Sequence, residues 1–272
     1  MKSWIALALL ACSTLAHAQN QRVLLETDRG PVLVELDQTR APITSANFLA
    51  YVDADTFDRT LVHRVVKNFI VQAGGYKEDT TPVNKRPNIA SERSNGLLNT
   101  TGSLAMALTS SNGQPNTASG NSEFFFNMAN NTQLDGSYTV FGRVLFGMKT
   151  LTEINNTTLY GGGDSPVRMP LIKRAVRTEG FPILDLHTGG WYDPAKSGRG
   201  FSVEVANVAG SETGPLLVLY WYDYFEGKQI WMNGVKTFNW GDSQVTVPMQ
   251  ITRGGQFGSA FVPGDVVNDT AW

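Results

Sequence analysis

Arg64 lies inside an apolar run, Leu61 to Val66, where an unpaired charge would be costly to bury. The chain turns at Lys67-Asn68 and returns through Phe69, Ile70 and Val71 to Gln72, after which Gly74-Gly75 permits a sharp bend. A strand-borne guanidinium near a phenyl ring and an amide offers one fixed cation, one apolar wall and one hydrogen-bonding group. None of these three groups titrates near neutral pH. The stretch is therefore suited to binding and polarising a substrate rather than to moving protons. Taken alone, Arg64 reads equally well as a surface strand residue.

The elements that would hold this pair of strands are legible around it. Val23 to Thr27 and Val32 to Leu36 read as two strands, joined by a tight turn at Asp28-Arg29-Gly30-Pro31. Pro42 is placed to open a helix whose apolar face, with Ile43, Ala46, Leu49 and Ala50, runs to about Asp53. Tyr76 to Leu98 is polar and rich in Pro, Asn and Lys, and reads as a long surface excursion. Ser103 to Leu108, Phe124 to Phe126, Thr139 to Leu145 and Leu171 to Val176 are further strands. Thr109 to Asn121 is a loop of small and polar residues, and Gly147 to Ile154 suits a short helix. Many strands with few helices predict a barrel or a sandwich.

Composition and charge exclude several classes. The 272 residues suffice for two modest domains, and 42% hydrophobic with 17% charged residues is a globular composition. A net charge of -2 leaves no electrostatic footprint for nucleic acid. No internal apolar run approaches the ~20 residues of a membrane span. Residues 1–18 read as an export signal: Lys2, an apolar core from Ile5 to Ala11, and a small-x-small cleavage site at Ala16-His17-Ala18. Leu9-Leu10-Ala11-Cys12 resembles a lipobox and offers lipid anchoring through Cys12 as the alternative. Simple cleavage would remove Cys12, the only cysteine, and with it any disulfide, thiol nucleophile or thiolate metal site. The expected address is periplasmic or secreted, as an exported bacterial protein.

Several linked segments carry a family resemblance. His63-Arg64-Val65-Val66 with Phe69 and Gln72-Ala73-Gly74-Gly75 resembles the cyclophilin signature Phe-His-Arg-Val-Ile-x-x-Phe-x-x-Gln-Gly-Gly. Gly102 to Ala107 resembles the family's Gly-x-x-x-Met-Ala segment, and Ser122 to Phe126 its Ser-Gln-Phe-Phe-Ile segment. Leu134-Asp135-Gly136 and Tyr138 to Val144 resemble the next two blocks. They fall in the family's order from about Val23 to Val176. The resemblance implies a mainly β fold, a closed antiparallel cyclophilin-like β-barrel capped by two helices, over residues 19–178. It also implies peptidyl-prolyl cis-trans isomerase activity on Pro-containing polypeptides. No cofactor is expected, and no His/Cys/Asp cluster has the spacing of a metal site.

Position by position, the resemblance implies that Arg64 is the catalytic arginine, that Phe69, Phe125 and Leu134 wall the proline pocket, and that Gln72 contacts the substrate backbone. Ala107 falls beside the peptide, and His63 and Tyr138 fall on the pocket rim. Five positions depart from the family's usual residues: Val62 for Phe, Ile70 for Met, Glu123 for Gln, Leu108 for Asn and Gln133 for an aromatic. Glu123 and Ile70 remain in the expected substrate-binding set, and Glu123 is expected to pair with Arg64 and compete with substrate. The alternative function is a chaperone that holds Pro-containing segments with weak turnover or none.

Beyond Thr178 the resemblance stops, and residues 181–272 read from pattern as a small all-β domain rich in tryptophan. Five of the six tryptophans lie between Trp191 and Trp272. Leu216 to Phe225 alternates as a long strand, Asn233-Gly234 predicts a type I′ hairpin, and Ser243 to Ile251 and Phe257 to Val262 add strands. Trp191, Trp221, Trp231 and Trp240 suggest a glycan or peptide ligand, but strand alternation favours their filling an interior. The module is expected to be independent of catalysis.

Overall fold

The computed structural model describes residues 20–206, 214–253 and 267–270. The expected export signal, with Cys12, and the strand expected at 257–262 lie outside the described residues.

The first sheet is built from β1 (Arg22–Thr27), β2 (Gly30–Leu36), β3 (Thr60–Leu61), β4 (Arg64–Val66), β5 (Ile70–Ala73), β6 (Ser103–Met106), β9 (Phe124–Asn127), β10 (Val140–Phe146) and β11 (Leu171–Thr178). Their order is β3-β11-β1-β2-β10-β6-β9-β5-β4. The sheet curls into a half-barrel whose edge strands, β3 and β4, are consecutive in the chain and separated only by Val62 and His63. Two helices accompany it, α1 (Pro42–Val52) and α2 (Met148–Asn155). Pro42 opens α1 without losing a useful donor. Glu92, from the excursion after Tyr76, accepts hydrogen bonds from the backbone of Ile43 and Thr44 and so caps that helix from a distance. The curled sheet encloses Phe48, Phe57, Phe124 and Phe141, all completely buried; Phe124 meets both Phe48 and Phe57 edge to face. The loop expected at 109–121 contains a small hairpin, β7 (Ser110–Ser111) and β8 (Gln114–Pro115). Asn112 and Gly113 turn it, both at positive φ as a type I′ turn requires.

The second sheet has six strands in chain order: β12 (Gly189–Tyr192), β13 (Gly200–Ala206), β14 (Leu216–Phe225), β15 (Lys228–Thr237), β16 (Gln250–Arg253) and β17 (Val267–Thr270). The hairpin expected at Asn233-Gly234 is not there. Those residues pair with Tyr220 and Leu219 in mid-strand, and the chain turns instead at Glu226-Gly227, where both φ angles are positive. Gly234 serves close packing: a Cβ there would come within 2.5 Å of the Pro248 carbonyl oxygen and 2.7 Å of Val247 Cγ1. The segment 243–249, expected as a strand, lies over that face instead and joins only at β16. Val245 and Val247 cover Val205, Leu217 and Phe238.

The tryptophans do not fill this interior. Among the described residues Trp191 is 49% and Trp231 61% exposed, Trp221 is exposed as well, and only Trp240 is half-buried. Trp240 lies where the two sheets meet, with the Arg174 guanidinium 4.4 Å from its ring centre. Beside it Leu184 packs on Leu24 and Leu33, and Phe146 and Phe181 stack edge to face.

Candidate active site

Strand alternation divides the first sheet into two chemistries. Val65, Val71, Phe126 and Leu104 are register partners and point into the main core. The next row, Arg64, Gln72, Phe125, Ala105 and Val140, therefore faces the other way. On that outer face Ile70, Ala105, Ala107, Phe125 and Val140 form a separate apolar cluster, with Phe69, Leu134 and Tyr138 packed against it. Phe125 is only 2% exposed, and Tyr138 meets its ring edge to face at 5.6 Å. All the apolar residues expected at the pocket, Phe69, Ile70, Ala107, Phe125, Leu134 and Tyr138, thus share one patch beside Arg64 and Gln72.

The turn that delivers Phe69 is fixed by side chains from elsewhere. Asn68 is left-handed, and its backbone N–H donates to Asn155 Oδ1 at 2.9 Å, while Asn155 Nδ2 donates to the Val66 carbonyl. Asn131 Nδ2 donates to the Phe69 carbonyl.

The polar side is a chain of hydrogen bonds. Arg64 Nε donates to Asp164 Oδ2 at 2.6 Å, and Arg64 Nη1 to Gln72 Oε1 at 3.3 Å. Gln72 Nε2 donates to Glu123 Oε2 at 2.9 Å. Glu123 in turn meets Lys85 Nζ at 2.9 Å and His63 Nε2 at 3.4 Å. The hydrogen bond from His63, with Lys85 beside it, holds the Glu123 carboxyl at about 2, well below its ordinary 4.5, against the opposing effect of burial. An ionised carboxylate only accepts hydrogen bonds. It therefore fixes which end of the Gln72 amide faces which neighbour: Nε2 toward Glu123, Oε1 toward Arg64. Gly75 makes room for this, since a Cβ there would stand 3.0 Å from the His63 ring and 3.1 Å from Glu123 Cδ.

The expected Arg64–Glu123 ion pair is replaced by two separate ones. Gln72 stands between the two residues, Arg64 pairs with Asp164, and Glu123 pairs with His63 and Lys85. Sequence reading missed Asp164 and Lys85. Asp164 follows three glycines and lies 100 residues from Arg64, so no local spacing links them; the backbone bond from Val65 N to the Asp164 carbonyl brings the loop there. Lys85 belongs to the polar excursion and contacts Glu123 from 38 positions away.

This arrangement holds a guanidinium at two of its nitrogens next to an apolar pocket, with Nη2 free of hydrogen bonds among the described residues. It can bind a carbonyl-bearing apolar group and stabilise charge that develops beside it.

The family model for the cyclophilin type peptidyl-prolyl cis-trans isomerases matches residues 22–177. A peptidyl-prolyl cis-trans isomerase of Acinetobacter baylyi is 37% identical over 175 residues, covering 61% of this chain and 90% of that protein. Peptidyl-prolyl cis-trans isomerase A of Dickeya dadantii is 36% identical over 145 residues, or 52% of this chain and 74% of that one. Among solved structures, a cyclophilin type peptidyl-prolyl cis-trans isomerase of Cryptosporidium parvum superposes with a TM-score of 0.50 at 26% identity, over 59% of this chain and 99% of its own. The same parasite protein solved in the presence of the dipeptide Ala-Pro superposes equally well, at 27% identity. With its half-barrel, its apolar patch beside Arg64 and a match spanning more than half its length, the chain belongs to the cyclophilin-type peptidyl-prolyl cis-trans isomerases.

Proposed function

We propose that this protein isomerises X-Pro bonds in exported polypeptides and that Arg64 supplies the catalysis. The observation that carries the reading is the outer-face row Arg64–Gln72–Phe125, a doubly held guanidinium two strands from a buried pocket ring. The X-Pro bond resists rotation because the amide is resonance-stabilised, with an uncatalysed barrier of ~18–20 kcal/mol. Twisting the bond breaks that resonance and leaves a lone pair on a pyramidal proline nitrogen. The proline ring occupies the patch of Phe69, Phe125, Leu134 and Tyr138, and Ala107 lies along the peptide. An Arg64 N–H donates to the lone pair only as it develops, so the twisted state is bound better than either planar isomer. Arg64 keeps its charge at every relevant pH. Asp164 and Gln72 fix the plane of its guanidinium in advance, which removes the cost of orienting it during each rotation. No nucleophile or general base takes part.

The exported role rests on the signal-like residues 1–18, and the division at about Thr178 into an isomerase domain and an appended module rests on where the family resemblance ends. The test is catalysed exchange of a short Ala-Pro peptide at low enzyme concentration by the mature protein. Turnover well above the uncatalysed rate is expected. Stoichiometric binding without turnover would favour the chaperone reading and sink this one.

A further inference from the structure

The second sheet has a built cleft that the isomerase site does not use. Tyr192, Gly200, Tyr222 and Trp231 are successive register partners across β12, β13, β14 and β15, so they share one face. The side chains of Tyr192 and Trp231 are 75% and 61% exposed, and Tyr222 is exposed too. Gly200 carries no side chain, so a slot opens between the two tyrosines, about 9–10 Å from strand to strand. The slot cannot be filled from below: a Cβ on Gly200 would stand 2.7 Å from the Trp191 carbonyl oxygen and 3.2 Å from Tyr192 Cβ. The resulting cavity is walled by Tyr192 and Tyr222, floored by Gly198 and Gly200, and edged by Ser202 and Gln229.

The polar groups of the cleft select among ligands. No carboxylate lines the cavity. Asp223 alternates to the other side of β14 from Tyr222, and its Oδ1 accepts from Nε of Arg199, the charged residue of the lining, at 2.8 Å and from the Tyr224 backbone at 2.8 Å. Asp193, also outside the lining, accepts from the Ala195 backbone at 3.0 Å and has Lys196 at 3.7 Å. Glu204 stands two strand positions beyond Ser202, outside the cavity lining. In the lining the Tyr192 and Tyr222 hydroxyls and the Gln229 amide, and beside Tyr222 the Trp231 indole N–H, have no hydrogen-bond partner among the described residues. Asp223 neutralises Arg199, so a polyanion gains little here. A sugar chain brings hydroxyls that donate as well as accept, and their donors would meet no carboxylate in the lining. A proline-rich segment brings the opposite balance: apolar rings, exposed carbonyl acceptors and few N–H donors. In polyproline II form it is already stiff, so little ordering cost is added on docking against aromatic walls.

We propose that this cleft docks a proline-rich, polyproline II segment of the same clients whose X-Pro bonds the first sheet isomerises, an assignment of clients that rests on the isomerase reading above. Two tethered sites for one polypeptide raise the local concentration of X-Pro bonds at Arg64 without any change in the chemistry.

The experiment uses the mature full chain and a decaproline peptide, read by calorimetry with a short Ala-Pro tetrapeptide present in excess to occupy the isomerase pocket. Decaproline binding is expected to persist there, to weaken at least about tenfold in Tyr222→Ala and Trp231→Ala, and to survive Arg64→Ala. The kcat/KM for the short tetrapeptide is expected to be unchanged in the two aromatic variants. If Tyr222→Ala does not fold, Tyr192→Ala tests the same wall with a side chain that is 75% exposed. Displacement of decaproline by the tetrapeptide, or equal affinity in the aromatic variants, overturns the proposal. So does tighter binding of an N-acetylglucosamine tetramer that the same variants abolish. A protein that binds decaproline here yet fails to isomerise the tetrapeptide would overturn the isomerase reading and leave the cleft standing.

Discussion

The two sheets of this chain place their aromatic residues on opposite sides of the same physical problem. The first curls around Phe48, Phe57, Phe124 and Phe141 and removes them from water entirely. The second stays open, covers one end of one face with Val245, Val247 and Phe238, and leaves Trp191, Tyr192, Tyr222 and Trp231 in solvent. The strand pattern is similar in both, because alternation decides which residues share a face and not whether that face is covered. Coverage needs a partner: two helices and curvature in the first case, a short overlying segment in the second. A curled sheet can therefore spend its outer face on a single rigid site, whereas an open one presents rings for contact.

If chemistry is confined to the first sheet, the largest effect belongs to Arg64. Arg64→Ala should lower kcat/KM for a short Ala-Pro peptide about a hundredfold, the usual scale for losing one preorganised donor. Its circular dichroism and melting curve should match the native protein's, since the side chain is partly exposed. Native-like turnover in that variant would break the mechanism and the contrast together.

The sheets also meet, and their junction is the next largest effect. Leu184 seals Leu24 and Leu33, both fully buried, although it belongs to the segment after the family match. Leu184→Ala should cost about 2–3 kcal/mol in denaturant unfolding while leaving turnover of the short peptide intact. Truncation after Thr178 should lose more stability, because it exposes Leu24, Leu33 and Phe146 at once, yet should remain active at low temperature. Unchanged stability in Leu184→Ala would mean that the two sheets fold as independent units.

Much of the site was legible because it is local. Arg64, Phe69 and Gln72 lie on one hairpin, and a two-residue period assigns Arg64 and Gln72 to the same face. Phe125 and Ala107 needed the family's order of segments to bring them near. What could not be read depended on contacts between distant segments. The Asn112-Gly113 pair forms a type I′ turn inside a segment expected as a plain loop, while Asn233-Gly234, expected to turn, has the same two residues and runs through mid-strand. The difference comes from Pro248 and Val247, which need the space over Gly234. Likewise nothing in three glycines and an aspartate announces that Asp164 holds Arg64.

That contact makes a smaller prediction. Asp164→Asn keeps the shape and removes the charge at Arg64 Nε, so kcat should fall about three- to tenfold with little change in KM. Melting should move little, because the pair is exposed, with Arg64 at 41% and Asp164 at 51%. An unchanged kcat would assign the orientation of the guanidinium to Gln72 alone.

The smallest effect on turnover should be that of Glu123→Gln, and it separates orientation from charge within the same hydrogen-bond chain. Glu123 is not the ion-pair partner of Arg64, so its removal frees no competitor for the substrate. An amide oxygen at position 123 still accepts from Gln72 Nε2, and turnover at neutral pH should stay within about twofold of native. Stability is another matter. The folded carboxyl titrates at about 2 rather than its ordinary 4.5, so it binds its proton less readily when folded than when unfolded. Its contribution is therefore complete above about 4.5 and is lost as the pH falls from there through about 2. At pH 7 the substitution should cost at most about 3 kcal/mol, and less because Lys85, at 44% exposure, is screened by water. Denaturant unfolding of both proteins from pH 7 downward should show their difference shrinking steadily toward pH 2. A difference that stays constant with pH would mean that His63 and Lys85 do not hold the carboxylate. A rise in kcat/KM would mean that Glu123 reaches past Gln72 to Arg64 after all.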